Sequence, residues 1–173
     1  MLTDKIHQYG TVSKLFHWLI ALLVAWQFAK FFDRIGEGEH WVADNIVSHH
    51  ISIGVIFLLF VIARTIWAIT QRHKRPVNPQ SSNKLVVIGH VALYVLMLLM
   101  PLLGISLMVG NGYGLGVYGW QIIERGEEIP ALIQLGRLHS PVAWLFLIAA
   151  LGHIVMAIKH HMANDKKVMR SML

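Results

Sequence analysis

The sequence predicts an all-α integral membrane protein, a four-helix bundle with both termini cytoplasmic, formed as one domain over residues 1–173. Three observations predict it. The chain is 55% hydrophobic and only 14% charged, too apolar for an ordinary soluble domain. Four segments are long and apolar enough to cross a hydrocarbon core of about 30 Å, which needs roughly 20 helical residues. Basic side chains gather in alternate connections, the pattern that orients membrane helices. The absence of cysteine excludes disulfides, iron–sulfur clusters and covalent c-type haem attachment. The net charge of +6 is accounted for by topology, and no nucleic-acid partner is expected.

The opening stretch, MLTDKIHQYGTVSK, is polar and has no small-residue cleavage site before the first apolar run, so no removable signal peptide is expected. The spans are expected over residues 13–32, 46–69, 85–109 and 137–161. In lipid a spanning segment must satisfy its own backbone hydrogen bonds, which makes these runs helices. Pro76 and Pro79 stop the second helix and turn the chain back. The glycine-rich stretch GNGYGLGVYGW, residues 110–120, has no preceding strand and no following Gly-Lys-Ser/Thr, so it reads as a flexible or tightly turning loop rather than a phosphate cradle. Its aromatic residues suit a membrane interface.

Loop charges set the orientation. Lys5, Lys14, Arg72, Lys74, Arg75, Lys84, Lys159, Lys166, Lys167 and Arg170 fall on one side. Lys30, Arg34, Arg125 and Arg137 fall on the other, among seven acids. The basic side is cytoplasmic by the positive-inside bias. In a bacterial cell the acidic loops then face the periplasm across the inner membrane.

The histidines carry the chemistry. His139 and His153 lie fourteen residues apart in the last apolar run. At about 100° per residue that is only about 40° short of four full turns, with a rise of roughly 21 Å. Both rings leave one face at two depths, and His160 continues the stripe seven residues on. Ionisable side chains inside a spanning helix usually face a cofactor, a cavity or a partner. Low-spin haem iron needs two axial donors, for which neutral imidazole is a common choice. Two haems then need four histidines matched by depth. His17, near the cytoplasmic end of the first helix, is level with His153; His49 and His50, at the outer end of the second, are level with His139.

His50 is preferred to His49 because Gly54, four residues on, leaves room for a porphyrin on that face. Arg64 returns to the same face at the cytoplasmic depth, where a haem propionate is its natural counter-ion; the alternative is snorkelling to the headgroups. His90, in GHVALY, could replace His17 as the inner ligand, line the pocket or sit at the interface. His160 and His161, at the inner membrane edge, could snorkel to the interface, or His160 could hydrogen-bond a quinone and shuttle its proton. Phe146, midway between His139 and His153, reads as core filler. Pro141 belongs in a helix's first turn with Ser140 as a possible N-cap, which would leave His139 to ligate from the preceding loop.

These residues resemble the bacterial cytochrome b561 family. The resemblance rests on His17–Trp18, on His50-x-x-x-Gly54 with Arg64, and on GHVALYVLMLLMPLLGISLM. In the last helix it rests on His139 and His153, then His160–His161 and the tail DKKVMRSM. It spans all four helices. It implies two b haems, the inner on His17 and His153 and the outer on His50 and His139. It also implies oxidation of periplasmic superoxide with reduction of ubiquinone. One-electron chemistry on an anion suits an outer site, and Lys30, Arg34 and Arg137 could attract superoxide to its mouth. Two other readings compete. The chain could be a cytochrome b subunit relaying electrons between a dehydrogenase or hydrogenase partner and the quinone pool. It could instead be a histidine-lined transporter, but none of its nine acids falls within the core of a span.

Overall fold

The computed structural model describes residues 1–5, 8–31, 41, 43–74, 76 and 84–162. Arg34, His7, His40 and Pro79 lie outside the described residues, as does the tail from residue 163. Four stretches are long and apolar enough to cross a membrane: α1 (Thr11–Ala29), α2 (His50–Thr70), α3 (Lys84–Gly110), and Pro130–Met162. The last comprises a short helix, α4 (Pro130–Gly136), and the long α5 (His139–Met162). The expected four-helix membrane architecture is borne out, in a chain that is mostly helical.

The boundaries follow local chemistry. Gly10 precedes α1 in extended backbone, and Asp4 Oδ1 accepts hydrogen bonds from its N–H (2.8 Å) and from Ser13 Oγ (2.6 Å). Trp67 Nε1 donates to the same Ser13 oxygen (2.9 Å), tying the start of α1 to the end of α2. Residues 43–47 form a π-helical turn, so α2 begins at His50 rather than at the expected Ile46. The third span matches its expected limits to one residue at each end. α5 starts at His139 with Pro141 in its first turn, so His139 and His153 share one helix and the fourteen-residue geometry applies.

Adjacent helices pack as α1 on α2, α2 on α3, and α3 on both α4 and α5. Gly110 and Gly136 allow the closest approach, since a Cβ on Gly136 would strike the Leu107 backbone and one on Gly110 the backbone at Ile133. α5 meets α1 and the turn that follows it through rings, with Phe146 5.3 Å from Phe28 and Trp144 4.5 Å from Phe31 between centroids. A buried cluster of Ile20, Phe57, Val61, Met97 and Phe146 fills the middle of the bundle. Phe146 is thus core, as its position in the stripe suggested. Outward-facing residues are large and apolar, with Leu22 66% and Ile148 65% exposed. A soluble protein rarely leaves so much apolar surface in water, and lipid covers it at no such cost.

The glycine-rich loop folds into an antiparallel hairpin, β1 (Leu115–Val117) and β2 (Trp120–Ile123). Its two-residue turn, Tyr118–Gly119, has φ of 45° and 87°, the twist that a tight hairpin demands. The Tyr118 N–H donates to Ser52 Oγ (3.2 Å) and its ring lies 5.7 Å from that of His49. The hairpin therefore sits over the first turn of α2.

Candidate functional site

Two histidine pairs face each other, one at each end of the bundle, with the Ile20–Phe57–Val61–Met97–Phe146 cluster between them. At the end expected to face outward, here called outer, His50 opens α2 and His139 opens α5, with ring centroids 6.0 Å apart and planes at 89°. They line a cavity of about 390 Å³ together with Gln27, Lys30, Gly54 and Arg137. His139 Nδ1 lies 3.0 Å from the Met100 carbonyl oxygen. A carbonyl only accepts, so Nδ1 carries the hydrogen and Nε2 is left with a bare lone pair. Gly104, one turn after Met100 on α3, makes room for this ring: a Cβ there would lie 3.2 Å from His139 Cε1. Across the cavity, the His50 carbonyl accepts from Gln27 Nε2 (3.1 Å), while His50 Nδ1 is buried with no partner among the described residues.

At the opposite end, called inner by the same expectation, the His17 and His153 centroids are 6.4 Å apart with planes at 63°. His90 of α3 approaches His153 from elsewhere, at 5.4 Å and 86°. Arg64 is turned into the bundle at this depth. Its Nε donates to Tyr94 Oη (3.2 Å), and Nη2 lies 3.4 Å from His17 Nδ1. These contacts are the opposite of snorkelling.

Both pairs suit a metal whose remaining ligands arrive with a cofactor. A bound imidazole nitrogen lies about 2 Å from a first-row metal, with the ring centre roughly 1 Å further on, so two imidazoles sharing one metal have centres roughly 6 Å apart. The observed 6.0 and 6.4 Å agree. Among the described residues no group of three or more His, Cys, Asp or Glu could hold a bare ion. A haem iron, carrying four porphyrin nitrogens of its own, needs only the two. The unpartnered His50 nitrogen and the apolar cavity beside it fit such a group.

The structure brings together His50, His139, Gly54, Lys30 and Arg137 at the outer end, and His17, His153, Arg64 and His90 at the inner. It does not bring His49 to His139; that exposed ring turns to Tyr118. His160 is half-buried in the last turn of α5, and the neighbouring His161 Nδ1 is buried without a partner among the described residues. Sequence reasoning missed Gly104, Gln27, Tyr94 and the Met100 carbonyl. Of these only Tyr94, one turn after His90 in GHVALY, left any sign.

The family model for prokaryotic cytochrome b561 matches residues 8–173. Cytochrome b561 homolog 2 of Escherichia coli (strain K12) is 26% identical over 185 residues, covering 99% of this chain and 94% of that protein. Cytochrome b561 homolog 1 of the same organism is 27% identical over 183 residues, covering 96% and 98%. The family match runs over nearly the whole chain: the chain belongs to the prokaryotic cytochrome b561 family, membrane b-type cytochromes of electron transfer.

Proposed function

We propose that this chain is a single-domain, two-haem oxidoreductase of the bacterial inner membrane, both termini cytoplasmic, that oxidises periplasmic superoxide and reduces ubiquinone. The observation that carries it is the pair of facing histidine couples at opposite ends of one bundle, joined by His139 and His153 fourteen residues apart on α5. His50 and His139 would hold the outer haem, and His17 and His153 the inner. Bound there, these groups supply one-electron redox chemistry that no side chain of this chain offers.

The residues around each pair have separate tasks. The Met100 carbonyl fixes the tautomer and orientation of His139, leaving Nε2 to bind metal. Arg64 can only donate, so its contact uses the lone pair of His17 Nδ1. With metal on Nε2 of His17, Nδ1 would carry hydrogen and could no longer accept. Arg64 must then donate elsewhere, and a propionate carboxylate is the acceptor the cofactor brings. Lys30 and Arg137, which line the outer cavity, would supply a local positive field for superoxide, joined by Arg34 on sequence grounds. His160, seven residues after His153 on α5, would exchange protons with a quinone oxygen at the cytoplasmic edge. The balance is simple: two superoxide ions become two dioxygen molecules, and one quinone takes two electrons and two protons.

Stopped-flow mixing of the purified protein with superoxide, then with a soluble ubiquinone analogue, tests this reading. Reduction of the haem bands by superoxide and their reoxidation by quinone are expected. Bands indifferent to superoxide but reduced by a dehydrogenase or hydrogenase partner would replace it with the relay reading.

A further inference from the structure

We infer that His90 is a positioning residue for His153: it accepts the hydrogen of the His153 nitrogen that does not bind metal, and so sets the reduction potential of the inner centre without ligating it. The inference rests on His17 and His153 being the inner axial pair. Three observations lead to it. The first is placement. The His90 ring is 5.4 Å from His153 at 86°, nearer than the 6.4 Å to His17, so His153 has an imidazole neighbour on each of two other helices. Only one of them can complete an axial pair with it.

The second is a tautomer. His90 Nδ1 lies 2.7 Å from the Val86 carbonyl oxygen, one turn back on α3. The carbonyl can only accept, so Nδ1 holds the hydrogen, and a neutral ring then presents a bare Nε2. That makes His90 an acceptor anchored to its own backbone.

The third is what His153 requires. A histidine bound to metal through one nitrogen keeps hydrogen on the other and donates it to a further partner, which raises its basicity as a ligand. An N–H···N bond of about 3 Å separates imidazole centres by roughly 5 Å when each nitrogen lies roughly 1 Å from its ring centre. The observed 5.4 Å is close to that spacing. At the outer pair the Met100 carbonyl receives the corresponding hydrogen from His139. The two centres are thus given different acceptors, a carbonyl outside and an imidazole inside. A more basic ligand favours oxidised iron, so His90 holds the inner potential down.

The test uses the full chain, haem-loaded in detergent, with spectroelectrochemical potentials, haem content and low-spin electron paramagnetic resonance. For His90→Phe we expect both haems retained and low-spin, with the inner potential raised. Loss of one ordinary hydrogen bond is worth about tenfold in an equilibrium, which is about 59 mV for a one-electron couple. His90→Gln, whose amide oxygen can accept, should return the potential towards wild type. An unchanged potential in His90→Phe, or a Gln variant no different from the Phe one, overturns the inference. A haem lost or turned high-spin in both variants would make His90 a ligand and overturn it too. His17→Ala in parallel separates the two readings: if it keeps both haems low-spin, the axial assignment itself has failed.

Discussion

Replacing Gly104 with valine should cost the protein its outer haem and leave the inner one in place. A Cβ at residue 104 would lie 3.2 Å from His139 Cε1 and 3.3 Å from Nδ1, inside the contact distance of about 3.5–4.0 Å for non-bonded heavy atoms. The ring has little freedom to give way. Its Nδ1 is held at 3.0 Å by the Met100 carbonyl, on the same helix as Gly104, and a retreat of a few tenths of an ångström stretches that bond past the usual range. Alanine is the mild case, because up to about 1 kcal/mol of helix propensity gained over glycine offsets much of the crowding. Valine adds two more methyl groups, and overpacking of that kind costs about 1–3 kcal/mol. If it falls on the loaded state, haem retention weakens roughly five- to 150-fold. Pyridine haemochrome analysis of detergent-purified protein reads this as haem per chain falling from two towards one. Gly152→Ala is the control, since a Cβ there meets nothing within 4 Å. Two haems with unchanged potentials in Gly104→Val would refute the argument that this glycine makes room for a ligating His139.

Three further substitutions probe the other parts. His153→Ala should lose one haem per chain, and unchanged content in the haemochrome assay would remove His153 from the ligand set. Arg64→Ala should loosen the inner haem or shift its potential in a redox titration; no change in either would return Arg64 to a headgroup role. His160→Ala should slow quinone reoxidation in stopped flow while both haems stay bound, whereas haem loss would show that its role is structural.

Much of this was legible because membrane helices announce themselves. Lipid forbids unpaired backbone, so hydropathy alone located four spans, with the third correct to one residue at each end. The alignment of His139 with His153 came from 100° arithmetic, which survived because α5 starts at His139 and takes Pro141 in its first turn. What escaped was set by neighbours. Gly104 lies in an apolar helix like several other glycines, and nothing marks it until the His139 ring is seen against it. The Met100 carbonyl leaves no trace in residue type at all. The hairpin was legible only as a flexible or tightly turning loop, because Tyr118 adopts φ 45° where glycine would be the usual signal. α4 was absorbed into the preceding loop, its seven residues being too few to show a period. His90 was left open among several roles for a related reason: spacing along α3 says nothing about α5, and its nearness to His153 appears only in the packed bundle.

The central claim is that each histidine couple holds one haem. Its most direct test is a dithionite-reduced minus oxidised spectrum with haem counted per chain, on the wild type, His50→Ala and His17→Ala. Two b haems are expected in the wild type and one in each variant, with different potentials surviving in the two. A wild-type count of one, or the same haem missing from both variants, would contradict it.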